Sequence, residues 1–233
     1  MRVSEVYASV QGEGPNVGKT TVFLRFGGCN LRCPGWPCDT QHAIDPAYRK
    51  DWERYSPNDL FDKVTETAQL AGAETITFTG GEPFLQPAGE LSWIVFELAR
   101  RGYQLEAFTN GTLLYPDWAV ENISMIMDWK LPGSGEDPNN ATRLRNLRRL
   151  DESSRWHSVK FVCKDVADLD LAIKLYDMLD ERIQNSLHWF YGRVWDGDIS
   201  NAQLAELVML KRLPWRLNVQ MHNYVWPANE RGR

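Results

Sequence analysis

No apolar run in the sequence is long enough to span a bilayer, and the opening "MRVSEVYASVQGEG" has no apolar stretch of the kind a secretory signal carries. The expectation is a soluble, cytoplasmic protein whose thiols stay reduced. A long basic block is missing too. The densest run, "RLRNLRR" (Arg143 to Arg149), reads at helical spacing as a solvated helix face. With a net charge of −5 and a pI near 5.5, it gives no reason to expect a nucleic-acid partner. Internal repeats, low-complexity tracts and extended linkers are also absent. The 233 residues, 43% of them hydrophobic, are enough for a single domain spanning 1–233.

One apparent motif fails for want of a glycine. "QGEGPNVGKTT" (Gln11 to Thr21) ends like a phosphate-binding loop, but the first glycine of that loop would fall at position 13, which is Glu13. A carboxylate there repels the phosphate such a loop cradles. The following "TVFLRF" has the β-branched and apolar content of a strand, where the loop requires a helix.

From Ser56 onward, strand and helix patterns alternate. "SPNDLFDKVTETAQLAG" has Ser56 as N-cap and Pro57 in the first turn, with Leu60, Phe61, Val64 and Ala68 on one face. "TITFTG", "LEAFTNG", "SMIMDWKL", "SVKFVC" and "LHWFYGRVW" read as strands between helices. Such alternation implies right-handed βαβ units and a parallel sheet. The expected fold is α/β, a partial TIM-type barrel of about six parallel strands with outer helices, because a full barrel typically needs about 250 residues. Chemistry then gathers at the carboxyl ends of the strands. There the sequence places Thr79-Gly80-Gly81-Glu82, Thr109-Asn110-Gly111-Thr112, and Asp128 with Lys130.

Cysteine is scarce, and its distribution is uneven. Of four, Cys29, Cys33 and Cys38 fall within ten residues, while Cys163 sits alone in an apolar strand as a small hydrophobe. Three soft ligands on one loop suit a metal centre. His42, four residues past Cys38, allows a Cys3His zinc site. An iron–sulfur cluster held by three cysteines, with one iron left open, fits the same residues. The cysteines alone leave both open.

With "TFTGGEP" (Thr77 to Pro83) added, the sequence resembles the radical S-adenosylmethionine enzymes, which carry a three-cysteine loop after the first strand and a GGE-type motif after the second. The resemblance implies a [4Fe-4S] cluster on Cys29, Cys33 and Cys38, with the open iron chelated by the amino and carboxylate groups of S-adenosylmethionine. The glycine pair would let the backbone approach that cofactor closely.

Within this superfamily, "SVQGEG", "VFLRFGGCNLRC", "TNGT", "DWKLPGSG" and "LNVQMHNYVW" together resemble the 7-carboxy-7-deazaguanine synthases. That resemblance implies a pterin site at Val10, Gln11, Gly12, Thr79 and His222, with Gln220 nearby. Arg25 would pair with the substrate carboxylate. Thr40, in "CDT", would hold Mg²⁺. Asp39, Gly81, Glu82, Thr109, Asn110, Asp128 and Lys130 would surround S-adenosylmethionine. The implied reaction begins with reductive cleavage of that cofactor to a 5′-deoxyadenosyl radical, which takes hydrogen from C6 of 6-carboxy-5,6,7,8-tetrahydropterin. Ring contraction and loss of ammonia then give 7-carboxy-7-deazaguanine. An electron donor such as a flavodoxin, and a homodimer, are the implied partners. A glycyl-radical activating enzyme would share the cysteines and GGEP but has no need of QGEG, Arg25 or Thr40.

Three departures from the family pattern stand out. The cysteines are spaced C-x3-C-x4-C in place of C-x3-C-x2-C, with Pro37 between Trp36 and the third cysteine; a surface loop should absorb the two extra residues cheaply. "FTNGT" replaces "ETNGT" and so removes a carboxylate. The closing segment 216–233, whose "LNVQMHNYVW" resembles the family's closing strand, ends in an added "PANERGR".

Overall fold

The computed structural model describes residues 1–36, 38–136, 140–194 and 197–226. Nine strands form one sheet in the order β3-β1-β2-β4-β5-β6-β7-β8-β9. Six of them, β2 (Thr20–Phe26), β4 (Thr75–Gly80), β5 (Gln104–Thr109), β6 (Ser124–Trp129), β7 (Ser158–Cys163) and β8 (His188–Arg193), are the parallel strands the alternation predicts. Three further strands extend the sheet. β1 (Arg2–Val10) runs antiparallel to β2 and β3 (Glu53–Arg54), and β9 (Arg216–Leu217) joins β8 in parallel. The short strands β3 and β9 are the two edges, so the sheet is open, as expected of a partial barrel.

The period of two along each strand sorts its side chains. Val22, Leu24, Phe26, Ile76, Phe78, Leu105, Ala107, Met125, Met127, Val159, Phe161 and Cys163 point outward into one hydrophobic core. Helices cover that face, among them α2 (Pro57–Ala71), α3 (Ala88–Arg100), α4 (Asp117–Asn122), α5 (Asn140–Asp151) and α6 (Val166–Asp177), while the short α1 (Gln41–Ile44) contributes nothing to that core cluster. In α2, Ser56 accepts the Asp59 amide as N-cap, and Leu60, Phe61, Val64 and Ala68 are buried. The opposite, inner face is far more polar, although Phe23, Phe108 and Ile126 share it. It carries Thr21, Arg25, Thr77, Thr79, Glu106, Asp128 and Lys160, which the registers place side by side. No helix among the described residues is long and apolar enough to cross a membrane.

Two expectations need correction. Arg143 does not lie on a solvated helix face: it is fully buried, and its Nε donates to the Asn110 carbonyl. The remaining arginines of that run stay at least partly exposed. The closing segment is strand only at Arg216–Leu217, and His222–Val225 forms a helical turn. The Asn218 amide still donates to the Tyr191 carbonyl of β8, but its side chain already serves the QGEG loop, Oδ1 accepting the Gly14 amide and Nδ2 donating to Glu13, and by Met221 the backbone follows, its amide donating to the Gly12 carbonyl. The QGEG loop therefore takes over where β8 stops. Residues 227–233, which are the whole of the added tail, and Pro37 lie outside the described residues.

Candidate active site

At the carboxyl ends of β2 and β4 two backbones meet almost without side chains. Gly81 N donates to the Phe26 carbonyl and Glu82 N to the Gly28 carbonyl, at 3.0 and 2.8 Å. A Cβ on Gly81 would collide with the Gly28 carbonyl oxygen, so this approach requires glycine. The GGE turn is thus fastened to the root of the cysteine loop. Glu82 lies beneath, fully buried, accepting from Phe84 N, Asn110 N and Thr109 Oγ1. Burial raises its carboxyl pKa to about 7. Its bonds tie the GGE turn to the TNGT turn, where Asn110 Nδ2 donates to Asn30 and lies 3.8 Å from Cys29 Sγ.

The three loop cysteines are free thiols, Cys33 buried and Cys29 and Cys38 half-buried. Burial pushes the Cys33 thiol up to about 12, opposed by the nearby Lys130 ammonium. Cys33 adopts a left-handed backbone conformation (φ 46°), unusual for a residue with a side chain. His42 is turned away, its Nε2 3.1 Å from Glu5. No three Cys, His, Asp or Glu side chains converge on a single-ion site among the described residues, so the Cys3His zinc centre is not formed. A four-iron cluster makes a different demand, since each thiolate binds its own iron. The donor set, three unpaired thiols on one loop beside a cation, fits such a cluster.

Below the cysteines runs a chain of buried charge. Lys130 Nζ donates to Asp128 Oδ2 at 2.9 Å and sits 5.6 Å from the Trp36 ring centroid. Lys160 Nζ lies 3.6 Å from Asp128 Oδ2 and donates to both oxygens of Glu13. Asp128 stays ionised: burial works against its charge, but Lys130 and Lys160 outweigh it. Its Oδ1 is buried with no hydrogen-bond partner among the described residues, an acceptor that a hydroxyl-bearing cofactor would complete.

The QGEG loop forms the floor of the inner face. Gln11 Nε2 donates to Glu106, which also accepts from Thr77 Oγ1 and Asn16 Nδ2 at 2.7 Å each. Gly12 packs on His222, where a Cβ would come within 2.7 Å of the His222 Nδ1. The structure therefore joins Gln11, Gly12 and His222 in one place, while Val10 ends β1 opposite Thr20. Arg25 sits across from Thr79, its Nε donating to Glu5 and its Nη2 to Tyr7. Thr40 Oγ1 lies 3.3 Å from Cys38 Sγ and 3.5 Å from the Gly80 carbonyl, and Asp39 accepts from Gln220.

Several residues that shape this site escaped sequence reasoning: Glu5, Tyr7, Glu13, Glu106, Lys160 and Arg143. Strand parity offered a signal for some of them, since Glu106 and Lys160 are charged residues inside apolar strands, in register with Thr77 and Asp128 respectively.

Residues 24–159 match the model of the radical SAM superfamily. The chain is 30% identical to the 7-carboxy-7-deazaguanine synthase of Methanospirillum hungatei over 97% of its own length and 85% of that protein's. It is 31% identical to the protein of the same name from Leptospira interrogans, over 99% and 97%. Among solved structures, QueE from Escherichia coli superposes with a TM-score of 0.71 over 95% of this chain and 94% of that one; at 21% identity this is a likeness of fold.

Proposed function

This chain belongs to the radical SAM superfamily and, within it, to the 7-carboxy-7-deazaguanine synthases, and from that premise we infer its reaction. It is a lyase that contracts the ring of 6-carboxy-5,6,7,8-tetrahydropterin to 7-carboxy-7-deazaguanine with loss of ammonia, in 7-deazapurine biosynthesis. The observation that carries this reading is the junction of three free thiols with the GGE and TNGT turns, directly above a polar inner face.

Cys29, Cys33 and Cys38 would hold the [4Fe-4S] cluster, which with S-adenosylmethionine supplies the one-electron chemistry. Gly81, Asn110, Asp128, Lys130 and Asp39 surround the place the cofactor would take. Glu82 and Thr109 fix the turns that frame it. Gln11, Gly12, Val10, Thr79 and His222 are assigned to the pterin. Arg25 is oriented by Glu5 and Tyr7, and its Nη1, without a protein partner among the described residues, is assigned to the substrate carboxylate. Thr40 is assigned to Mg²⁺, a cation usually held by few protein groups and by substrate oxygens. The enzyme is proposed to act in the cytoplasm as a homodimer, reduced by a flavodoxin-type donor.

The test is anaerobic reconstitution with iron and sulfide, then incubation with reductant, S-adenosylmethionine, Mg²⁺ and the carboxytetrahydropterin. 7-Carboxy-7-deazaguanine is the expected product. Cofactor cleavage without that product would reject the substrate; a colourless zinc protein would reject the chemistry.

A further inference from the structure

The lengthened stretch between Cys33 and Cys38 is pinned at Gly35. Gly35 N donates to the Ser134 carbonyl at 2.8 Å, and the Gly35 carbonyl accepts from Lys164 Nζ at 3.1 Å. A Cβ on Gly35 would collide with the Gly133 carbonyl oxygen, so the loop tip lies flat on the segment that follows β6. That segment supplies a second hold. Glu136 Oε1 accepts from the amides of both Arg32 and Cys33, at 2.5 and 2.6 Å.

The clamp is anchored away from the loop. Ser134 Oγ donates to the Leu131 carbonyl and accepts the Glu136 amide. Gly133 N and Lys164 N donate to the two oxygens of Asp168, whose own amide donates to the N-cap Asp165. Both jaws therefore belong to turns held on the rigid rim of β6 and β7.

We propose that Glu136 is a positioning residue for the cluster, holding Cys33 in its left-handed conformation so that the cysteine loop is set before iron arrives. Two amides converging on one carboxylate oxygen form charge-assisted bonds, which are about twice as strong as neutral ones. They offset the cost of a positive φ at a non-glycine residue. The same carboxylate places a fixed negative charge beside the cluster and disfavours its reduction. This rests on the cluster assignment made above, but the clamp itself is a property of the metal-free chain.

The test compares wild type, Glu136→Gln, Glu136→Ala and Gly35→Ala. In the metal-free protein, hydrogen exchange of a peptide covering 30–36 should quicken about tenfold or more in Glu136→Ala, which removes the acceptor shared by the Arg32 and Cys33 amides, and in Gly35→Ala, whose Cβ would force the tip off the Gly133 carbonyl. Glu136→Gln keeps an acceptor and should exchange more slowly than Glu136→Ala. After anaerobic reconstitution, a chelator should strip iron about tenfold faster from Glu136→Ala than from wild type. The cluster of Glu136→Gln should retain its iron but have a more positive midpoint potential. Wild-type exchange and iron-loss rates in both alanine variants would overturn the clamp. Should wild type itself take up no iron, the cluster assignment falls, and the exchange arm still decides whether Glu136 orders the loop.

Discussion

On β2, Val22, Leu24 and Phe26 turn into a dry core, whereas Thr21 and Arg25, one residue out of step, turn toward hydrogen-bonded polar groups. The contrast repeats across the sheet. On β7, Val159 and Phe161 pack outward while Ser158 and Lys160 face in. The outer face is held by close packing of side chains, which tolerates loss of volume poorly. The inner face is held by bonds between polar groups, each of which would be costly unpaired. Stability is concentrated on the first and chemistry on the second, with one backbone serving both.

Four experiments would break or sharpen this contrast. Cys33→Ala, at the inner mouth, should lower product formation at least about a thousandfold by removing one of the thiols proposed to hold the cluster, with little change in the unfolding midpoint. Phe161→Ala, on the outer face, should do the reverse. It should cost about 3–5 kcal/mol in denaturant unfolding, and iron per folded chain should remain at the wild-type level.

His157 gives the outer side a pH signature. Its Nδ1 accepts the Met125 amide, and burial, helped by the Arg155 charge, pushes its pKa down to about 4. The folded state thus binds this proton more weakly than the unfolded chain does. Its contribution is whole above about pH 6.5 and is lost as pH falls toward 4, about 3 kcal/mol in all. Unfolding at pH 7 and at pH 4.5 should show this loss, and His157→Gln should reduce it. The smallest effect is expected from Arg25→Lys, which keeps the charge but loses the fork toward Glu5 and Tyr7. Its kcat/KM should fall about tenfold in steady-state assays, with stability nearly unchanged.

Much of this arrangement was legible in the sequence because it is local. The cysteine loop, the GGE and TNGT turns and the apolar stripe of α2 are each short runs whose meaning depends on near neighbours. What could not be read depends on residues far apart in the chain. Glu136 meets the Cys33 amide across 103 positions, and Lys160 meets Glu13 across 147. Arg143 was hidden by its company, one buried guanidinium in a run of mostly exposed ones. The short β9 was over-read as a full strand because Asn218 has strand-like neighbours, whereas its side chain and the backbone of Met221 beyond it find their partners in the QGEG loop.

The contact between Gly81 and Gly28 also sets where this protein can change length. At that root the first loop has no slack: one inserted residue would pull apart amide–carbonyl pairs that join it to the neighbouring turn. At the tip, between the second and third thiols, added chain can be accommodated if it finds a surface to lie on, as Gly35 does. Engineers wishing to graft a reporter or a tether near the cysteine loop should therefore leave the root untouched and spare Gly35, whose bare backbone pins the tip against Gly133.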